Sequence, residues 1–168
     1  MRRITYLLKL FFRLPAREKL WFVFAWFFSG ATRLFLLTLP FRWIAPRLGL
    51  HLNNTQLCAV TPEKQRKLAW RIGKITELAC KYTPWQSKCL VQAMVARTLL
   101  GYYKIPYVMH LGVTKTNIAE DLLKAHAWLC VGPRVITGRD GHKQFTIVST
   151  FISPAVLGQP SATGHSHA

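Results

Sequence analysis

Cys89 holds the most telling position among the chemically capable residues of this 168-residue chain. Thr83-Pro84-Trp85 breaks one helical pattern, Gln86-Ser87-Lys88 leads into a second, and Cys89 falls at or near the second helix's first residue. Unpaired N–H groups and the helix dipole favour an anion at such a place, so this thiol is positioned to act as a thiolate nucleophile. Cys58, Cys80 and Cys130 lie in a loop, late in a helix and within a strand, and they read as ordinary small apolar side chains. A nucleophile of this kind needs a base within reach. His126 is the candidate, opening a strand in Ala125-His126-Ala127-Trp128, with Trp128 on its face two positions on.

A tight turn at Gly132-Pro133 would make paired residue numbers across the hairpin sum to about 265, which sets Arg139 or Asp140 beside His126. Asp140 could therefore orient the imidazole as the third member of a nucleophile, base and orienter set. The flanking Gly138 and Gly141 fit a bare surface turn equally well. Few other acids compete, since the chain holds only Glu18, Glu63, Glu77, Glu120, Asp121 and Asp140. Glu120 and Asp121 precede His126 in a loop and read as its solvated face. For a developing oxyanion the candidate donors are the Cys89 backbone N–H and the Gln86 side chain. Trp85 and Trp128 are the candidates for substrate contact. No metal and no cofactor is expected: His165 and His167 in the tail have no Cys or carboxylate neighbours, and no Gly-rich loop of the phosphate-cradling kind occurs.

The elements that would hold these residues follow from periodicity and turn chemistry. A helix is expected with Thr61 as N-cap and Pro62 at its first position, turning Leu68, Ile72, Ile75, Ala79 and Tyr82 toward a core. The second helix, residues 89–100 closed by Gly101, carries Val91, Ala93, Met94, Val95 and Leu99 around most of its circumference and reads as a buried central helix. Residues 51–60 read as a loop. Strands are expected over residues 105–113, 126–131, 134–137 and 144–151. Helices first and strands after predict an α+β domain, with one central helix on an antiparallel sheet.

Residues 1–50 form an apolar, basic helical arm ahead of a catalytic domain over residues 51–168. The arm holds nine basic residues against Glu18 alone, within a chain of formal net charge +17. Its apolar run approaches the ~20 residues of a spanning helix. Arg33 interrupts it, at a cost of about 2.5–3.5 kcal/mol near a bilayer's centre. The expectation is a helix packed on the domain or on a partner, or one lying on an anionic membrane surface. A cleaved signal peptide does not fit, because the apolar run starts well past Arg3 and no small-residue cleavage pattern follows before Pro40. The cysteine spacing suggests no disulfide scaffold and fits a reducing, cytosolic setting, with the inner face of the membrane as the surface the arm would meet.

Three segments together resemble a known family: Pro84-Trp85-Gln86-Ser87-Lys88-Cys89-Leu90-Val91-Gln92-Ala93, the stretch from Ile105-Pro106 to Leu111-Gly112-Val113, and Ala125-His126-Ala127-Trp128 with Thr137-Gly138. They are similar to the transglutaminase-like leader peptidase of lasso-peptide biosynthesis, a papain-like cysteine protease fold. Leu14-Pro15-Ala16, Leu39-Pro40-Phe41-Arg42 and Arg47-Leu48-Gly49 are similar to the family's apolar, basic lead-in. The resemblance implies that Cys89, His126 and Asp140 are nucleophile, base and orienting acid, and that the substrate is a ribosomally made precursor peptide. It implies the peptidase half of a split system, served by a separate leader-binding (recognition element) protein and followed by a separate ATP-dependent lactam cyclase. Acyl transfer to an amine stands beside hydrolysis, because either can resolve the same thioester. A non-enzymatic basic protein of membranes or nucleic acid is the third reading. Its basic residues are dispersed, no nucleic-acid motif is present, and no nucleic-acid partner is expected.

Overall fold

A computed structural model of the chain describes residues 11–52, 58–115 and 123–157. A long helix α1 (Ala16–Thr38) is followed by a short α2 (Phe41–Ile44), a 3₁₀ turn (Ala45–Leu48) and strand β1 (Leu50–Leu52). Helices α3 (Glu63–Lys81) and α4 (Cys89–Tyr102) come next. The strands β2 (Val108–Lys115), β3 (Leu123–Val131), β4 (Arg134–Thr137) and β5 (Thr146–Ile152) complete the domain, with a one-turn helix α5 (Pro154–Leu157) after them. All five strands pair antiparallel in the order β1-β5-β2-β3-β4. The expected α+β architecture, a central helix on an antiparallel sheet behind an apolar N-terminal helix, is the one observed.

The core lies between α4 and one face of the sheet. Ala93, Ala96, Leu99 and Leu100 of α4 meet Met109, Ala127, Leu129 and Ile136, and Ala69 and Ile72 of α3 close the side. Ala127, Leu129 and Val131 of β3 therefore enter this core, while Trp128 takes the opposite face, as the two-residue period of a strand requires. Gly73 lets α3 come down on β4: a Cβ there would stand 2.4 Å from Ile136 Cγ2 and 2.6 Å from the Ile136 carbonyl oxygen. The arm packs on the domain through α1, whose Trp21 joins the main core and whose Ala25 packs with Ala79, Val91 and Val95.

Several boundaries differ from the periodicity reading. Thr61 does not cap α3, because its hydroxyl donates back to the Ala59 carbonyl at 3.2 Å and Pro62 takes the N-cap place. Helix α4 runs through Gly101, and Lys104, at φ 52, makes the left-handed exit. The segment read as a loop after residue 50 begins with an edge strand, where Leu50 pairs with Ile152 and Leu52 with Thr150.

The face of the sheet away from α4 is aromatic and carries a buried base. His110 accepts or donates a 3.0 Å hydrogen bond with Thr150 Oγ1 and lies tilted against the Trp128 ring at 5.4 Å. Burial lowers its pKa from 6.5 to about 4, so the folded protein holds it neutral. The unfolded chain takes up this proton near the ordinary value, so the stability contributed by neutral His110 is intact above pH 6.5 and is lost as pH falls toward 4. Thermal unfolding of wild type and His110→Gln at neutral pH and at about pH 4.5 checks this: the wild type should lose on the order of 2 kcal/mol more than the variant.

Candidate active site

Cys89 is the first residue of α4, with Lys88 as an extended N-cap whose side chain makes no capping bond. The helix start therefore keeps its N–H groups for other acceptors, and the Cys89 N–H is among those with no earlier carbonyl to bind. The approach to it is pinned. Thr83 Oγ1 lies 3.0 Å from the carbonyls of both Cys80 and Trp85 and 2.9 Å from Ser87 Oγ, and Gln92 Nε2 donates to the Ser87 carbonyl at 2.9 Å. Trp85 turns onto α1, donating from Nε1 to Ser29 Oγ at 3.0 Å and standing edge-on to Trp26 at 4.8 Å. Its indole thus fastens the arm to the loop before Cys89, where substrate contact was expected. Gln86 is exposed and is not among the residues lining the cleft.

A cleft of about 460 Å³ opens at this helix end, lined by Cys89, His126 and Asp140 together with Glu77, Cys80, Ser87, Gln92, Gly138 and Arg139. The three residues expected to act together are thus gathered from α4, β3 and the loop after β4. His126 lies directly opposite Gly112 of β2. The missing side chain at Gly112 leaves space for Trp128, whose ring atoms would come within 2.8 Å of a Cβ there, and for Phe145 at 2.9 Å. The His126 ring stacks with Trp128 at 6.0 Å and lies tilted against Phe145 at 4.9 Å. Trp128 is buried and works as a support beneath the imidazole.

His126 Nε2 lies 2.8 Å from the Gly138 carbonyl oxygen. A carbonyl can only accept, so Nε2 carries the hydrogen and Nδ1 of the neutral ring is left with its lone pair. The early end of the hairpin explains why a carbonyl, and not the Asp140 carboxylate, takes this place. Val131↔Arg134 and Cys130↔Val135 follow the expected pairing, a bulge then shifts it by one to Leu129↔Thr137, and β4 ends there. Gly138, at φ 72, turns the chain before residue 140 can pair. Asp140 is exposed in the following turn and makes no hydrogen bond or ion pair to the described residues, although its charge helps to raise the pKa of Glu77. No hydrogen bond joins Cys89 Sγ to the imidazole, although both residues line the cleft.

The loop carrying Gly138 is clamped from α3, a feature that no sequence pattern signalled. Arg139 donates to Glu77 Oε2 at 2.7 Å and lies over the Trp70 ring at 4.4 Å, and His142 Nδ1 bonds the Arg139 carbonyl at 2.7 Å. Burial pushes the Glu77 pKa up against the opposing pull of Arg139 and Lys74. Cys80 shares the cleft wall, but burial raises its thiol to about 11 despite hydrogen bonds from Ser87 and Ser29, so it stays protonated. Cys130 is raised further, to about 12, by burial and then by Cys58. Glu120 and Asp121, and the histidines of the tail, lie outside the described residues.

A thiol at a helix start in one cleft with a strand-borne imidazole is the arrangement that acyl-transfer chemistry requires. The family model of the transglutaminase-like superfamily matches residues 35–150, which include Cys89, His126 and Asp140. The chain belongs to the transglutaminase-like superfamily. Membership assigns it to a group with cysteine-protease and acyltransferase chemistry and agrees with the mixed helix and antiparallel-sheet fold. No match was found among curated proteins or among solved structures. The match begins inside α1, so the superfamily's pattern takes in the end of the arm as well as the domain behind it.

Proposed function

We propose that this transglutaminase-like protein is a cysteine peptidase that removes the leader from a ribosomally made lasso-peptide precursor. The single observation that carries the peptidase reading is the shared cleft, in which the first residue of α4 is a cysteine and strand β3 supplies His126. The choice of a precursor peptide rests on the resemblance of the Pro84-Trp85 run, the His-Ala-Trp segment and the basic lead-in to that family.

In this reading Cys89 gives its proton to His126 Nδ1, and the thiolate attacks the scissile carbonyl carbon. The Cys89 N–H, in the first turn, faces the oxyanion. Collapse breaks the C–N bond, and the imidazolium returns the proton to the leaving amine. Water then loses a proton to the same nitrogen and attacks the thioester, releasing the new carboxylate and the Cys89 thiol. The Gly138 carbonyl keeps Nε2–H in place throughout and steadies the cation by its dipole. Asp140 acts on the imidazolium as a nearby charge. An exposed carboxylate in high dielectric acts weakly, so Asp140→Asn should lower turnover about tenfold or less.

The separate leader-binding protein acts by raising the local concentration of precursor at the cleft. Addition of that protein to the purified chain should raise cleavage, read by mass spectrometry, by at least about tenfold. Equal rates with and without it would place leader recognition on this chain. Supplying an amine acceptor tests the transferase alternative: an amide product in place of the free carboxylate would favour it.

A further inference from the structure

Helix α1 wears its polarity inside out. Its buried stripe is Glu18, Trp21, Ala25, Ser29 and Thr32, three of them polar, all on one line at 100° per residue. The opposite line holds Leu20, Phe27 and Leu34, each at least 60% exposed, with Val23, Phe24, Phe35 and Leu37 beside it. The helix is long and apolar enough to cross a membrane. Crossing would tear it from the domain, however, breaking the Glu18–Arg71 ion pair, the 2.9 Å bond from Trp21 Nε1 to Tyr103 and the Trp85–Ser29 bond, and leaving Glu18 in hydrocarbon. What the fold offers is one face of the helix.

Charge decides what meets that face. Arg13, Arg17, Lys19, Arg33 and Arg42 lie along the described part of the arm, with Arg17 over Trp21 at 4.9 Å and Lys19 over Phe12 at 5.9 Å. The arm's single acid, Glu18, is buried and already paired. A second copy would bring the same cations face to face with no exposed acid on α1 to meet them. Anionic headgroups would meet them, and acyl chains would take the apolar ridge. We propose that α1 lies in the plane of a bilayer rich in anionic phospholipid, with Leu20, Phe27 and Leu34 among the acyl chains and the flanking arginines and lysine at the headgroups. Because Trp85 ties residues 83–88 to α1, the cleft is held at a set distance from that surface.

Flotation of the full chain on sealed vesicles, of phosphatidylcholine alone or with about 30 mol% phosphatidylglycerol, tests the proposal. The bound fraction should be at least about tenfold greater on the anionic vesicles at low salt. Phe27→Asp with Leu34→Asp should lower it by at least about tenfold, with circular dichroism unchanged. Should that pair fail to fold, Arg13→Gln with Arg33→Gln and Arg42→Gln decides: this variant should bind both vesicle types equally weakly. Trypsin added outside should still cut after Arg13 or Arg17. A chain that does not float, variants that float like wild type, a soluble dimer dissolved by the aspartates, or full protection from trypsin would each overturn it.

Discussion

Cys89→Ala is expected to lower cleavage of a precursor peptide by at least about 10⁴-fold, the scale on which loss of a covalent nucleophile acts, while leaving the fold intact. The matching Ser replacements of Cys58, Cys80 and Cys130 should keep most of the activity. Cys80 is the demanding comparison, because it lines the same cleft as Cys89. It sits late in α3, where the helix dipole disfavours an anion, and burial holds its thiol at about 11. Cys130, at about 12, is equally inert at neutral pH, and exposed Cys58 stands outside the cleft. Proximity to the substrate therefore does not select the nucleophile. Position at the start of α4 does. Cleavage followed by mass spectrometry on the four variants checks this, and a Cys80→Ser enzyme as dead as Cys89→Ala would transfer the assignment.

The second large effect belongs to a residue with no side chain. Gly138→Val should lower kcat by at least about a hundredfold, with a much smaller change in KM. Its φ of 72 is costly for a β-branched residue, and a Cβ would stand 2.3 Å from the Ala127 carbonyl oxygen and 3.0 Å from Trp128 Cα. The loop must then lift, and the carbonyl that fixes His126 Nε2–H lifts with it. Gly141 supplies the control. Its φ of 73 gives the same strain, but the nearest atom to its Cβ would be Gln144 Oε1 at 4.0 Å. Gly141→Val should thus lose some thermal stability and little turnover. A similar loss of kcat in both variants would mean that loop strain, and not the His126 contact, is responsible.

These two residues also mark how far the sequence could be read. Cys89 was legible because a Pro-Trp break before an apolar helix places the cysteine at the helix start by local rules alone. The hairpin was legible at its turn, where Val131 and Arg134 pair as Gly132-Pro133 predicts. The ladder then ends at Thr137 and Gly138 turns the chain away, which leaves no mark in composition, so the Gly138 carbonyl and not the Asp140 carboxylate meets His126. The Glu77–Arg139 pair joins positions far apart in sequence, and so does the Trp85–Ser29 bond; neither obeys a periodicity. Strand β1 was hidden for a different reason: Leu50-His51-Leu52 is too short to show alternation and is a strand only because β5 presents an edge to it.

The central claim is that Cys89 is the activated nucleophile and His126 the group that activates it, and it can be tested without any substrate. The folded chain is treated with limiting iodoacetamide near neutral pH, and labelling of each of the four cysteines is followed over time by peptide mapping. Cys89, though only half-buried, should be modified at least about tenfold faster than exposed Cys58, and His126→Ala should remove most of that advantage. Cys58 reacting first, with Cys89 indifferent to His126→Ala, would contradict the assignment.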